Sequence, residues 1–112
     1  MKKILNAIAA ITLIIAMPAI CGCSKKEGYR IGVSQCSSDD WRNKMNEEIM
    51  REALILDESL DVEIRSGEDS NENQIADLQY FVDNGFDAII VAPNEAEALT
   101  PIIKDIHSKG IP

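Results

Sequence analysis

The 112-residue chain carries a net charge of −8, with 46% hydrophobic and 27% charged residues. That is about one domain's length, too apolar for disorder, and it lacks the basic stripe that phosphate binding needs. Only 4% of residues are aromatic, and three cysteines stand beside a single histidine, His107. A base-stacking surface, a disulfide framework, a four-ligand zinc site and a histidine-rich metal centre are therefore excluded, and no cofactor is implied.

The first element is a leader. Lys2 and Lys3 precede an uncharged run over residues 4–24, apolar from Ile4 to Ala16 except at Asn6 and Thr12. A charged start followed by an apolar middle is the pattern of an export signal. The run ends Ile20-Cys21-Gly22-Cys23 before polar Ser24-Lys25-Lys26-Glu27, which resembles a bacterial lipoprotein box with Cys23 as the lipidated residue. A plain signal or an uncleaved anchor is the alternative reading, since about 20 apolar residues suffice to cross a bilayer. A buried core helix is a third, though the segment has no polar face. Residues 1–23 are read as leader or anchor, 24–28 as linker and 29–112 as the folded domain. The acidic domain will not adhere to anionic lipid, so membrane attachment would come through the leader.

From residue 29 the pattern alternates. Residues 29–34 are β-rich. A helix is expected from Asp39 or Asp40, with Trp41, Met45, Ile49, Ala53 and Leu56 on one face and Ser38 as N-cap. Residues 61–65 alternate like an edge strand. Ser70 or Asn71 opens a second helix that should bury Ile75, Leu78, Phe81 and Val82, and Gly85 ends it. Residues 88–92 form a continuous apolar run, as in a parallel strand buried on both faces. A third helix is expected over residues 95–108, its regular part starting near Thr100 because of Pro101. Strand and helix repeated three times predict an α/β, doubly wound parallel sheet. A fourth strand should begin at Ile111-Pro112, so the sequence reads as the opening part of a longer protein.

Ligands of open parallel sheets sit beyond the carboxyl ends of the strands. The residues after the first strand, Ser34-Gln35-Cys36-Ser37-Ser38, contain no glycine and so hold no dinucleotide fingerprint. Ala92-Pro93-Asn94 lacks the acidic residue of a phosphate-accepting receiver. Cys36 and Arg42 stand in the C-x5-R spacing of a low-molecular-weight tyrosine phosphatase loop, but Asp39 and Asp40 within it would repel a phosphate dianion. Glu68-Asp69-Ser70-Asn71-Glu72 has neither the spacing nor the glycine of an EF-hand, so no metal is expected there.

A polar small-molecule site suits these ends better. Trp41 can cover the apolar face of a sugar ring, while Gln35, Asp40, Arg42 and Asn94 offer the hydrogen bonds that vicinal hydroxyls take. Each has a plainer alternative. Trp41 can pack beneath its helix, Asp40 can serve the helix dipole, Arg42 can be a solvated charge, Asn94 can cap the third helix, and Cys36 can be a half-buried strand-end residue.

Over residues 29–112 the sequence resembles the type I periplasmic sugar-binding proteins, the ribose-binding-protein family. Ala92-Pro93-Asn94 and Lys109-Gly110-Ile111-Pro112 carry part of the likeness. Ile31-Gly32-Val33-Ser34-Gln35-Cys36-Ser37, Asp40-Trp41-Arg42, Lys44-Met45-Asn46-Glu47-Glu48 and Gln79-Tyr80-Phe81 are similar to the exported sensor domains of hybrid two-component histidine kinases. The resemblance implies the N-terminal lobe of a periplasmic binding fold, a sugar ligand and no enzymatic activity in this segment. The parent implied is a sensor kinase, with a dimeric sensor as partner. Gly22-Cys23 suits the alternative, a sugar-binding lipoprotein that serves an importer's permease. With one lobe only, the chain by itself is expected to hold sugar poorly.

Overall fold

Three strands and three helices alternate through residues 28–112, the residues described by the computed structural model. They are β1 (Tyr29–Gln35), α1 (Asp40–Leu56), β2 (Leu60–Ser66), α2 (Asn71–Asp83), β3 (Ala88–Val91) and α3 (Ala96–Ser108). The strands are all parallel in the order β2-β1-β3. Leader, linker residues 24–27 and Cys23 lie outside the described residues. Among the described residues no helix is long and apolar enough to cross a membrane.

The alternation of side chains along β1 divides the helices between two faces. Ser34 meets α2 through Gln74, and a Cβ on Gly32 would fall 2.5 Å from Phe81 Cγ. Gln35 turns the other way and bonds Arg42 and Asn46 of α1. The sheet is thus covered by α1 on one face and by α2 on the other, a doubly wound arrangement. Leu78, Leu99 and Ile106 form the core between α2, α3 and β3, with Ile89, Val91 and Ile111 packed against them. Each such fully buried side chain contributes about 1.5–3 kcal/mol relative to exposure. Next to this core, Phe81 and Phe86 lie 4.8 Å apart, and the Arg30 guanidinium sits 4.0 Å above the Phe86 ring.

Several local expectations change. Asp39, not Ser38, caps α1, because its carboxylate reaches the Arg42 N–H at 3.0 Å. Trp41 and Leu56 leave the inner face of α1 and are exposed, so Arg42 and Asn46 join Met45, Ile49 and Ala53 there. On α2, Ile75 stays 37% exposed, and Gln74 and Asp77 are buried beside Leu78 and Phe81. The strand at residues 88–91 is not buried on both faces: Ile90 is 52% exposed on the side away from α2 and α3. Pro101 lies inside α3 without delaying it. It costs one ladder bond, to the carbonyl of solvent-exposed Glu97, and Thr100 Oγ1 donates to Ala96 O at 2.7 Å beside it. Where a fourth strand is expected, Pro112 O accepts from Ile89 N at 3.0 Å, so the last residues lie along the free side of β3.

Candidate functional site

The carboxyl ends of β1, β2 and β3 feed three short loops at one edge of the sheet. Main-chain bonds tie these loops together: Gly67 N donates to Gln35 O at 2.8 Å, Asp69 N to Cys36 O at 2.7 Å and Ala92 N to Ser34 O at 2.9 Å. Glu68 and Asp69 adopt left-handed backbone, with φ of 51° and 60°. Side chains cost energy in that region, so neighbouring contacts must hold it. Ser38 Oγ donates to Glu68 Oε2, and Glu68 N donates to Ser66 Oγ.

On the α1 side, four of the five candidate residues come together. Gln35, expected to face a ligand, is instead fully buried. Its Nε2 donates to Asn46 Oδ1 at 2.8 Å, which leaves Oε1 to accept from Arg42 Nη1 at 3.1 Å. Arg42 also pairs with Asp39, Nε to Oδ2 at 3.5 Å, and keeps a side chain 22% exposed. Its guanidinium carbon lies 5.7 Å from the centre of the Trp41 ring, and Trp41 is 68% exposed. Trp41 therefore does not pack beneath α1. Asp40 is exposed in the first helical turn, where its charge complements the helix dipole. Asp39 has its carboxyl held below the usual range, chiefly by the Arg42 N–H and then by the Ser37 hydroxyl.

Asn94 stands at the end of β3 and does not cap α3, whose N-cap is Glu95. Its Nδ2 donates to Asn71 Oδ1 at 3.1 Å and to Asp69 O at 3.3 Å. Behind it is a residue that pattern reading missed. Gln74 is fully buried, with Nε2 donating to Ser34 Oγ and Ala92 O, both at 3.1 Å, while Oε1 accepts from Asn94 N at 2.7 Å. The available signal was its spacing: Gln74, Asp77, Leu78 and Phe81 follow the i, i+3, i+4, i+7 rule of one helix face.

Residues 31–112 match the periplasmic binding protein domain. The chain belongs to that family. Among solved structures, a fructose binding periplasmic domain of a hybrid two component system is 51% identical with a TM-score of 0.73, covering 75% of this chain and 28% of that one. A galactofuranose binding protein is 32% identical, with a TM-score of 0.68 and coverage of 75% and 28%. The periplasmic binding protein of the arabinose ABC transporter from Shewanella sp. ANA-3, bound to alpha and beta-L-arabinofuranose, is 31% identical, with a TM-score of 0.67 and coverage of 74% and 27%. The chain thus spans little more than a quarter of each of these structures. No curated protein sequence matches it.

The sheet edge of this periplasmic binding protein domain is poorly arranged for phosphatase chemistry. Cys36 is buried at 8% exposure, its sulfur 3.9 Å from Ser37 Oγ. Asp39 takes the Arg42 N–H, one of the amides that would cradle a dianion, and the Arg42 guanidinium is bonded to Gln35 and paired with Asp39. Among the described residues no three His, Cys, Asp or Glu side chains gather to hold a metal ion.

Proposed function

We propose that this chain is the N-terminal part of an extracytoplasmic carbohydrate-recognition domain, belonging to the sensor of a hybrid two-component histidine kinase. The observation that carries the reading is the exposed Trp41 ring beside an Arg42 guanidinium whose orientation is set by buried Gln35. An aromatic face next to a fixed planar donor suits a sugar, whose ring carries apolar C–H faces and polar edges. Trp41, Arg42, Asp40 and Asn94 are the contacts in this reading, and Gln35 acts by holding Arg42. The segment binds and has no chemistry of its own. Membrane attachment runs through the leader, as an anchor in this reading and through lipid on Cys23 in the importer reading below.

The 51% identity to a fructose binding sensor domain makes D-fructose the first sugar to test. A second reading, a sugar-binding lipoprotein working with an importer's permease, is favoured by the Gly22-Cys23 ending and by the arabinose transporter protein's 31% identity. The deciding experiment is calorimetric titration of the complete binding domain and of this chain with D-fructose, L-arabinose and D-glucose. Saturable binding by the complete domain, weakened in Trp41→Ala, is expected, with much weaker binding by this chain because one lobe leaves a ligand half exposed. Full affinity in Trp41→Ala would overturn the site. Labelled fatty acid incorporated at Cys23 and absent from Cys23→Ala would support the lipoprotein, and unlabelled protein that stays membrane-bound would support an anchored sensor.

A further inference from the structure

One side chain touches all three strand ends of the sheet edge. Gln74 reaches Ser34 on β1 and the main chain of Ala92 and Asn94 after β3. It also lies against Gly67 after β2, where a Cβ would fall 2.3 Å from Gln74 Cγ. Every polar atom of its amide is used, and it is fully buried. A buried amide is expensive to leave unpaired, so each of its three bonds resists displacement of the group at its other end. Of these, one goes to Ser34 within the ladder and one to Ala92, whose own N–H is already bonded to Ser34 O. The third, to the Asn94 N–H, holds a loop residue that no ladder fixes.

We infer that Gln74 is a positioning residue for ligand binding, acting through Asn94 by clamping its main chain so that the side chain is presented at the sheet edge. This rests on the reading that Asn94 faces the sugar. The Asn94 amide completes its placement from the front, with Asn71 and Asp69 as acceptors. Gln74 from behind, with Asn71 and Asp69 taking the two N–H bonds of Nδ2, orients Asn94 so that Oδ1 is the atom offered to a sugar hydroxyl, and a preordered acceptor loses little entropy on binding.

The test uses the complete binding domain, with D-fructose as probe, in Gln74→Met, Asn94→Ala and the double variant. Hydrogen exchange at the Asn94 amide should rise at least tenfold in Gln74→Met, while exchange at Leu99 in the core stays near the parent's. Fructose affinity should fall about tenfold in Gln74→Met, and the double variant should bind no more weakly than Asn94→Ala alone. Unchanged exchange at Asn94, or losses that multiply in the double variant, would overturn the inference. If Gln74→Met does not fold, Ser34→Ala removes one of the three anchors and leaves the ladder intact. A rise in Asn94 exchange of about threefold is then expected, and no rise overturns the clamp. Faster exchange with fructose affinity unchanged in every variant would instead remove Asn94 from the ligand wall. That outcome refutes the ligand reading and leaves the clamp standing.

Discussion

Arg42 Nη1 donates to Gln35 Oε1 at 3.1 Å, joining the last residue of β1 to the first turn of α1 through a side chain that solvent does not reach. Asn46, one turn further along α1, takes the other end of the same amide. The amide can therefore offer only its oxygen to Arg42, and the guanidinium is oriented before any ligand arrives.

Gln35→Leu should destabilise the complete domain by about 1–3 kcal/mol, because Asn46 loses its donor and Arg42 its acceptor beneath the surface. Arg42→Ala should cost less stability and more sugar affinity, since its side chain retains some exposure. Urea unfolding of both variants, paired with fructose titration, separates the two effects. A Gln35→Leu protein as stable as the parent would mean the amide is replaceable packing.

Gly32→Ala is expected to be the most damaging small change in β1. Its new methyl would meet Phe81 at 2.5 to 2.7 Å at Cγ and both Cδ atoms, and Phe81 is fully buried against Phe86. The base of an enclosed ring cannot swing aside, so overpacking of about 1–3 kcal/mol is expected. Thermal unfolding reads it, and an unchanged midpoint would show that α2 can shift outward freely.

Trp41→Ala should leave stability within about 0.5 kcal/mol, the usual range for surface substitutions. Sugar affinity should fall by about 1–3 kcal/mol, the scale of burying a large side-chain contact. Trp41 is the chain's single tryptophan. In the complete domain the fluorescence change on adding fructose should diminish in Trp41→Phe if Trp41 lies against the sugar, and an identical change in both proteins would exclude contact.

Acid should loosen the start of α1. Asp39 has a carboxyl pKa lowered from 3.8 in the folded chain, chiefly by the Arg42 N–H. A lowered folded value means that its contribution is fully present above pH about 4 and is lost as pH falls through the folded value. Asp39→Asn should flatten this part of the acid dependence when urea midpoints are compared between pH 6 and pH 3. Parallel curves for the two proteins would assign the acid loss to other carboxylates.

The order of elements was legible because it depends on periodicity. Alternation at residues 61–65 marked β2, which is an outer strand of the sheet among the described residues, and Ser70 followed by Asn71 marked the start of α2, where Ser70 Oγ accepts from Asn73 N. Glycines at 85 and 110 marked helix ends, and both have positive φ, 70° and 84°. Such signals act within a few residues, and the same local physics operates in the folded chain.

What tertiary structure decided was which polar groups go inside. Hydrophobic periodicity assigns Ile75 to the core and leaves Gln74 and Asp77 on the surface. The fold buries both polar residues because Gln74 finds Ser34, Ala92 and Asn94, and Asp77 Oδ1 accepts from Arg65 Nε at 2.6 Å. Those partners lie 12 to 40 residues away and become neighbours only once three strands are parallel. Gln35 is the same case at the other face: its residue type suggested a ligand contact, but its burial between β1 and α1 makes it a support for one. A buried amide is tolerable only when every bond is met, and that condition is set by the assembled fold and not by the local sequence.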